Sequence, residues 1–224
     1  FKVRGALHRL LRLTDEERGR GVVTISAGNH AQAVAWASRA AGVHAVVVMP
    51  EHASAAKVEA SRGYGAEIVL HGDARAAFAR AFALAEERGL RFVHPFDDEE
   101  VVAGHGSCAL EIMEDLPDVG AIVVPVGGGG LVSAIAAAAA AVRPGIAVWG
   151  VEPEGADAMR RSLAAGEAVH LETVNTVADG LAAPMAGVLN HALVAAFARG
   201  VATVTDAEIV EALRLLLERT KLLA

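Results

Sequence analysis

The chain of 224 residues is poor in cysteine, in aromatic residues and in basic charge. Its single cysteine, Cys108, forms no internal disulfide and no zinc site by itself, which favours a reducing, cytoplasmic setting. Acidic residues outnumber basic ones by 27 to 20, whereas a protein that reads duplex nucleic acid normally presents a basic face. Hydrophobic residues make up 54% of the chain, which excludes intrinsic disorder. The composition therefore indicates a globular protein without a nucleic-acid partner.

The sequence also lacks a membrane span and a signal peptide. The longest uncharged run lies between Asp118 and Arg143, and Pro125 with the four glycines after it divides this run into a short strand and a short helix. The first six residues contain no apolar core and no initiator methionine. We therefore predict no membrane partner, and we expect that the chain begins inside a longer protein.

Predicted strands and helices alternate along the chain. The strands are short and rich in β-branched residues, and they cover residues 21–26, 45–49, 67–70, 91–94, 121–126 and 147–151. The helices cover residues 31–41, 53–64, 74–88, 109–116, 131–142, 156–165 and 206–223. An acidic stretch at 96–100, expected to be exposed, separates the two runs of elements. Repeated βαβ units of this size predict an α/β protein with parallel strands and right-handed crossovers.

Four consecutive glycines, Gly127 to Gly130, lie between the strand 121–126 and a helix that begins at Leu131. Glycine permits positive φ and lets backbone N–H groups converge without obstruction from a Cβ atom. A helix N-terminus also carries partial positive charge, so an anion, most often a phosphate group, is the ligand that this turn favours. A tight turn packed against a neighbouring sheet is the structural alternative.

The glycine run does not by itself identify the phosphate ligand. No Lys-Ser or Lys-Thr pair follows it, which excludes a Walker A loop. A dinucleotide-binding fingerprint requires glycine where this chain has Val132, but Glu152 ends the next strand at about the spacing of a ribose-binding acid. A nicotinamide-binding oxidoreductase therefore remains an alternative, and an exposed strand-end carboxylate is the simpler interpretation of Glu152.

A second loop, residues 26–30, lies at the end of the first predicted strand. Ser26 is able to cap the following helix, Gly28 permits the turn, and free amides in such a turn are able to hold a carboxylate. Asn29 offers a side-chain amide to a ligand oxygen. The local chemistry supports capping and ligand binding equally.

Lysine is rare, so few side chains offer a nucleophilic amine. Lys57 lies among alanine and glutamate on a predicted surface helix, and Lys221 lies in the last turn of the final helix, where it suits the helix dipole. Lys2 lies between Phe1 and Val3, just before a helical stretch, where burial would lower the pKa of its amine.

Three motifs occur in order along the chain and resemble a single family. They are Phe1-Lys2-Val3-Arg4-Gly5-Ala6, Ser26-Ala27-Gly28-Asn29-His30-Ala31-Gln32 and Pro125-Val126-Gly127-Gly128-Gly129-Gly130-Leu131. Weaker matches follow the same order at residues 103–107, 150–154, 176–180 and 218–221. Together they resemble the fold-type II pyridoxal-phosphate enzymes, in the branch of threonine/serine dehydratases and serine racemase, over nearly the whole chain.

The resemblance implies an architecture similar to that of the tryptophan synthase β subunit, with two α/β domains built from parallel-sheet βαβ units. It implies a small domain at residues 23–102 and a large domain formed by residues 1–22 and 103–224. Relatives extend further at both ends, so we expect that the chain is truncated and that its large domain is incomplete. We also expect a homo-oligomer.

The resemblance also implies roles for particular residues. Lys2 would hold pyridoxal 5'-phosphate as a Schiff base and would act as the catalytic base on the substrate Cα. The other residues implied to bind the cofactor are Asn29, Gly106, Gly127, Gly128, Gly129, Gly130 and Leu131, with Asn29 on the pyridine hydroxyl oxygen. The residues implied to bind the substrate carboxylate through their amides are Ser26, Ala27, Gly28, Asn29 and His30. His105 replaces the glutamine that is usual beside Gly106.

The implied reaction is dehydration of L-threonine or L-serine to a 2-oxo acid and ammonia. Serine racemases of this type carry a second hydroxyl at the position of Ala27, and alanine has none. His30 stands where the cysteine synthase and threonine synthase branches usually have threonine. A dehydratase is therefore favoured, with a serine racemase or another β-eliminating lyase as the alternative inside the family. A nicotinamide-binding oxidoreductase and a non-catalytic small-ligand protein are the alternatives outside it.

Some relatives bind a divalent cation near Glu152 and the backbone of Ala156. Ala158 stands where a further acidic ligand is expected, so we predict no metal-ligating residues in this chain. The resemblance leaves a divalent or monovalent cation open as a second cofactor.

Overall fold

The computed structural model describes residues 1–222, which divide into two compact units, with the second beginning at Cys108. Each unit contains its own parallel sheet with helices packed against it. The predicted α/β class with parallel βαβ units is therefore confirmed. The domain limits inferred from the resemblance stay a prediction.

The first unit contains a four-stranded parallel sheet in the order β3-β2-β1-β4. Its strands are β1 (Val22–Ile25), β2 (Ala45–Met49), β3 (Glu67–Leu70) and β4 (Arg91–Phe92). Its helices are α1 (Lys2–Leu11), α2 (Asp15–Arg20), α3 (Asn29–Ala41), α4 (Ala55–Gly63) and α5 (Ala74–Arg88). The predicted limits of β2, β3 and α5 match the structure, because β-branched runs and a glycine after α5 mark them clearly.

The two central strands, β1 and β2, are buried along their whole length. Successive side chains of a strand point to opposite faces of the sheet, and both faces are covered here. Val22 and Val47 pack against one cluster with residues of α1 and α3, whereas Val23 and Val46 pack against another with residues of α5. Each buried valine stabilises the fold by about 1.5–3 kcal/mol relative to an exposed one.

Helix α6 (Glu99–Asp115) begins ten residues before the predicted start of the helix 109–116. The prediction that the acidic stretch at 96–100 is an exposed segment between elements is therefore wrong. The Asp98 carboxylate accepts N–H bonds from Glu100 and Val101 and pairs with the buried Arg9 at 3.1 Å. Asp98 thus satisfies amides in the first turn of α6, which local composition did not indicate.

The second unit contains a three-stranded parallel sheet in the order β5-β6-β7. Its strands are β5 (Ala121–Pro125), β6 (Ala147–Pro153) and β7 (Gly200–Val204). The helices that follow α6 are α7 (Gly130–Val142), α8 (Ala158–Ala165), α9 (Val188–Phe197) and α10 (Asp206–Leu215). Strand β7 and helix α9 were not predicted. The helix predicted at 206–223 ends at Leu215 and continues as a π-helical turn, Leu216–Thr220, while residue 223 lies outside the described residues.

The core of the second unit lies between its sheet and helices. Val124, Val148, Val132 and Met159 belong to one buried cluster drawn from β5, β6, α7 and α8. This packing fixes the start of α7, where the glycine run lies. Within residues 1–222, no helix is both long enough and apolar enough to cross a membrane.

Candidate functional site

Lys2 is the first residue of α1, and its amine is largely buried. The amine Nζ donates a hydrogen bond to the carbonyl oxygen of Pro95 at 2.6 Å and lies 5.3 Å from the centre of the Phe1 ring. Burial lowers the pKa of Lys2 from 10.5 to about 8. A lysine with this pKa holds a substantial fraction of neutral, nucleophilic amine near neutral pH.

Helix α1 approaches α6 closely one turn after Lys2. A Cβ atom at Gly5 would lie 2.4 Å from Cε1 of His105, and one at Gly104 would lie 2.7 Å from the Cα of Gly5. Glycine is therefore required at both positions for the two helices to reach this separation. The contact sets the position of the turn that carries Lys2.

Three imidazoles, those of His30, His94 and His105, lie near enough to Lys2 for its charge to affect their pKa values. Burial is the main cause in each case: it lowers the pKa of His105 to about 3, lowers that of His94, and lowers that of His30 well below its usual range. All three rings are therefore neutral near pH 7. They place polar groups around Lys2 without adding positive charge.

The hydrogen bonds of His30 identify its neutral tautomer. The Thr24 hydroxyl donates its only hydrogen to the carbonyl oxygen of Val93 at 2.7 Å, so it accepts a bond from Nε2 of His30 at 3.1 Å. His30 therefore carries its proton on Nε2. Its Nδ1 atom and both ring nitrogens of His105 are buried without a protein partner among residues 1–222.

The loop 26–30 connects β1 to the N-terminus of α3. Asn29 is exposed and is the first residue of the helix, whereas Ala27 is half-buried. The Ser26 amide bonds to the Val48 carbonyl, and the Ser26 hydroxyl accepts a bond from the Gly28 amide. No side chain caps the start of α3, so the amides of its first turn have no intrahelical partner. Gly106 is buried within α6 in the same unit.

The glycine run in the second unit joins β5 to α7. Gly129 adopts φ +94° as the N-cap of α7, and no side chain caps this helix. A Cβ atom at Gly129 would lie 2.4 Å from Cε of Met159 and 2.9 Å from Cβ of Asn190. A Cβ atom at Gly127 would lie 3.4 Å from the backbone of Leu181. The run therefore presents uncapped first-turn amides, a geometry that suits an anion.

The hydrogen bonds that connect the glycine run to α9 were not predicted. Asn190 donates from Nδ2 to the carbonyl oxygen of Gly128 at 3.0 Å, and its Oδ1 accepts from the Ser133 hydroxyl at 2.9 Å. Asn190 lies on α9, an element that the sequence pattern did not reveal. A buried asparagine in an apolar helical segment (Val188–Phe197) was the only available signal.

The interpretation of Glu152 as an exposed strand-end carboxylate is wrong, because its side chain is fully buried in β6. Its two carboxylate oxygens accept the amides of Met159 and Arg160, each at 2.9 Å, in the first turn of α8. Asp157, also buried, pairs with Arg160 and Arg161. Burial raises the pKa of Glu152 from 4.5 to about 7, against the opposing effect of the two amide bonds.

The raised pKa of Glu152 predicts a pH-dependent stability that Glu152→Gln removes. Between pH 4.5 and 7 the folded protein binds this proton more tightly than the unfolded chain, so the wild-type free energy of unfolding falls as pH rises. We expect that the free energy of unfolding of the wild type, relative to that of Glu152→Gln, falls by about 1–3 kcal/mol over this range. Urea unfolding at several pH values measures this difference, and Glu154→Gln, a change at an exposed glutamate, is the control. A difference that is constant with pH would contradict the assignment.

Comparisons with known proteins give a consistent result. Residues 1–224 match the family described as "Pyridoxal-phosphate dependent enzyme". The L-threonine ammonia-lyase of Thermotoga maritima is 44% identical over 225 residues, which is 100% of this chain and 56% of that protein. Threonine deaminase isoform 2 from Solanum lycopersicum superposes with a TM-score of 0.96 at 37% identity, covering 99% of this chain and 65% of that one. The serine racemase of Dictyostelium discoideum superposes with a TM-score of 0.92 at 40% identity, covering 99% of this chain and 71% of that one. The chain thus spans little more than half the length of the Thermotoga relative.

Proposed function

Because the chain belongs to the family of pyridoxal-phosphate dependent enzymes, we propose that the protein is a threonine/serine dehydratase. It would remove the Cα proton and the β-hydroxyl of L-threonine or L-serine, releasing water. The enamine product then tautomerises and is hydrolysed by water to a 2-oxo acid and ammonia. The Thermotoga relative is named an L-threonine ammonia-lyase, which is the same reaction.

The buried amine of Lys2 is the observation that carries the proposal. An amine with a pKa of about 8 attacks an aldehyde carbon near neutral pH. Once the substrate amino group has displaced it from that carbon, the free amine is able to accept a proton from the substrate Cα. The neutral rings of His30 and His105 surround it without competing for the incoming proton at that pH. Lys2 is therefore suited to both covalent attachment and base catalysis.

The glycine run fits the phosphate of the cofactor. Its uncapped amides at the start of α7 favour a dianion, and a side chain at Gly129 would collide with Met159 and Asn190. We assign Gly127 to Gly130 and Leu131 to this phosphate, and Asn29 to the pyridine hydroxyl oxygen. When bound, pyridoxal phosphate withdraws electrons from the Cα–H bond of the substrate.

The substrate carboxylate is assigned to the loop 26–30. Because the amides of Ser26 and Gly28 already have partners, we assign the carboxylate to the amide of Ala27 and to the first-turn amides of α3, those of residues 29–31. Asn29 is exposed and His30 is buried behind it. The helix N-terminus attracts the negative charge and orients the Cα–H bond of the substrate.

Absorption spectra and product assay test the proposal, using the protein at its natural length. Added pyridoxal phosphate is expected to produce a visible band of the lysine-bound cofactor, and L-threonine is then expected to yield 2-oxobutyrate. A band without 2-oxobutyrate from threonine or pyruvate from serine would overturn the dehydratase assignment and leave the racemase alternative, which chiral analysis of serine tests. Absence of any band would overturn the cofactor assignment.

The nicotinamide alternative loses its main support in the structure. A ribose-binding acid needs a carboxylate that ribose hydroxyls are able to reach, whereas the Glu152 side chain is fully buried and its oxygens accept amides of α8. Because Ala158 stands where a further acidic ligand is expected, we propose no cation at Glu152. A homo-oligomer and a cytoplasmic location remain predictions, and the former is tested by sedimentation equilibrium.

Ala27→Ser is expected to raise racemisation relative to elimination. The new hydroxyl would lie in the loop 26–30, where it is able to deliver a proton to the substrate face opposite Lys2, as the resemblance to serine racemases implies. We expect the ratio of D-serine to pyruvate from L-serine to rise by about tenfold, a change of about 1.4 kcal/mol between the two barriers. Ala40→Ser, the same change at an exposed position near the far end of α3, is the control. An unchanged ratio would remove the argument that Ala27 selects elimination.

A further inference from the structure

The carbonyl oxygen of Gly128 accepts two hydrogen bonds, both from residues at the start of α9. The Gly187 amide and the Asn190 side-chain Nδ2 each donate to this oxygen at 3.0 Å. A carbonyl with two donors is fully satisfied, because it has two lone pairs. The direction of this C=O bond is therefore fixed toward the start of α9.

Fixing the Gly128 carbonyl also fixes the amide of Gly129. The two groups belong to one planar trans peptide unit, in which C=O and N–H point in opposite directions. Glycine flanks this peptide on both sides, so no Cβ atom restrains its rotation. The hydrogen bonds from the start of α9 replace that missing restraint and direct the Gly129 N–H away from α9.

The side chain of Asn190 is itself held in one orientation. It is completely buried, and its Oδ1 accepts a bond from the Ser133 hydroxyl at 2.9 Å, which is shorter than the 3.3 Å from that hydroxyl to the Gly130 carbonyl oxygen. Because Nδ2 faces a carbonyl oxygen and Oδ1 faces a hydroxyl donor, the two ends of the amide are distinguished by their partners. Ser133 lies on α7 one turn after the glycine run, so the tether connects α9 both to the run and to the helix that follows it.

We propose that Asn190, oriented by Ser133, is a positioning residue for the anion-binding glycine run. It holds the peptide between Gly128 and Gly129 so that the Gly129 amide is available to the cofactor phosphate. The inference rests on the proposed function, since it takes the phosphate as that of pyridoxal phosphate. Asn190 does not touch the phosphate in this assignment and acts through the backbone.

Paired dissociation constants for pyridoxal phosphate and pyridoxal test the proposal at the protein's natural length. Asn190→Leu keeps the number and branching of the side-chain heavy atoms and removes the donor. It is expected to weaken binding of pyridoxal phosphate by about tenfold while leaving binding of pyridoxal, which has no phosphate, within about twofold. Ser133→Ala, which removes the bond from the Ser133 hydroxyl to the Asn190 Oδ1, is expected to give a smaller shift in the same direction. His191→Ala, the neighbouring change on α9, is the control.

The outcomes separate the inference from the proposed function. The positioning role would be overturned if both Asn190→Leu and Ser133→Ala weakened binding of pyridoxal phosphate and of pyridoxal equally, or weakened neither. A merely structural role would not distinguish the two ligands. If Asn190→Leu does not fold, Ser133→Ala alone decides by the same ratio. A wild-type protein that binds pyridoxal phosphate no more tightly than pyridoxal would overturn the phosphate assignment itself, and with it the proposal.

Discussion

Lys2→Ala is expected to abolish covalent attachment of pyridoxal phosphate. The amine of Lys2 is largely buried and donates a hydrogen bond to the Pro95 carbonyl, and its pKa is lowered to about 8. Turnover of L-threonine is expected to fall by at least about a thousandfold, because Lys2 is proposed as both the attachment point and the catalytic base. Borohydride reduction followed by peptide mass spectrometry measures the attachment. Lys57→Ala is the control, and a reducible adduct that persists in Lys2→Ala would contradict the assignment.

The lowered pKa of Lys2 predicts how cofactor attachment and stability depend on pH. In the wild type, attachment of the cofactor is expected to rise with pH around a midpoint near 8, where half of the Lys2 amine is neutral. Between pH 8 and 10.5 the unfolded chain binds more protons at this site than the folded protein, so wild-type stability rises with pH over that interval. The rise is on the order of 1–3 kcal/mol. Lys2→Ala is expected to remove it, and chemical unfolding at pH 7.5 and 10 measures the difference.

Gly129→Ala is expected to destabilise the second unit and to abolish binding of the cofactor phosphate. Two costs add: an L-residue at φ +94° costs about 1–2 kcal/mol, and the new Cβ atom would overlap Met159 and Asn190. Overpacking of this kind costs a further 1–3 kcal/mol, roughly. Any relief by backbone movement would displace the amides that we assign to the phosphate.

Gly166→Ala is the matched control for Gly129→Ala. Gly166 also has a positive φ, of +78°, but a Cβ atom there meets nothing within 4 Å. It is expected to show the backbone cost alone, with pyridoxal phosphate affinity unchanged. Urea unfolding and equilibrium binding of pyridoxal phosphate compare the two variants. Equal losses of stability and unchanged affinity in both would show that the packing around Gly129 has no role in the anion site.

Local sequence patterns determined the α/β class and most of its elements. Buried strands such as β2 appear as short runs of β-branched residues, and α5 ends at a glycine, so both were predicted at their observed limits. The glycine run was predicted as an anion site for the same reason, because a turn between a strand and a helix is specified by neighbouring residues. Lys2 was singled out by the rarity of lysine and by the family motif around it.

The tertiary structure decided which polar groups are buried and what they contact. Glu152 is bonded to α8 rather than exposed, Asp98 pairs with Arg9 at the start of α6, and Asn190 reaches Gly128 from an element that was not predicted. Each of these contacts joins residues that neither helical nor strand periodicity relates. Hydrophobic periodicity reports which face of an element is buried, but it carries no information about which distant polar group meets that face. The environment of the candidate site therefore depends on packing, whereas the residues proposed to form it were selected from sequence motifs.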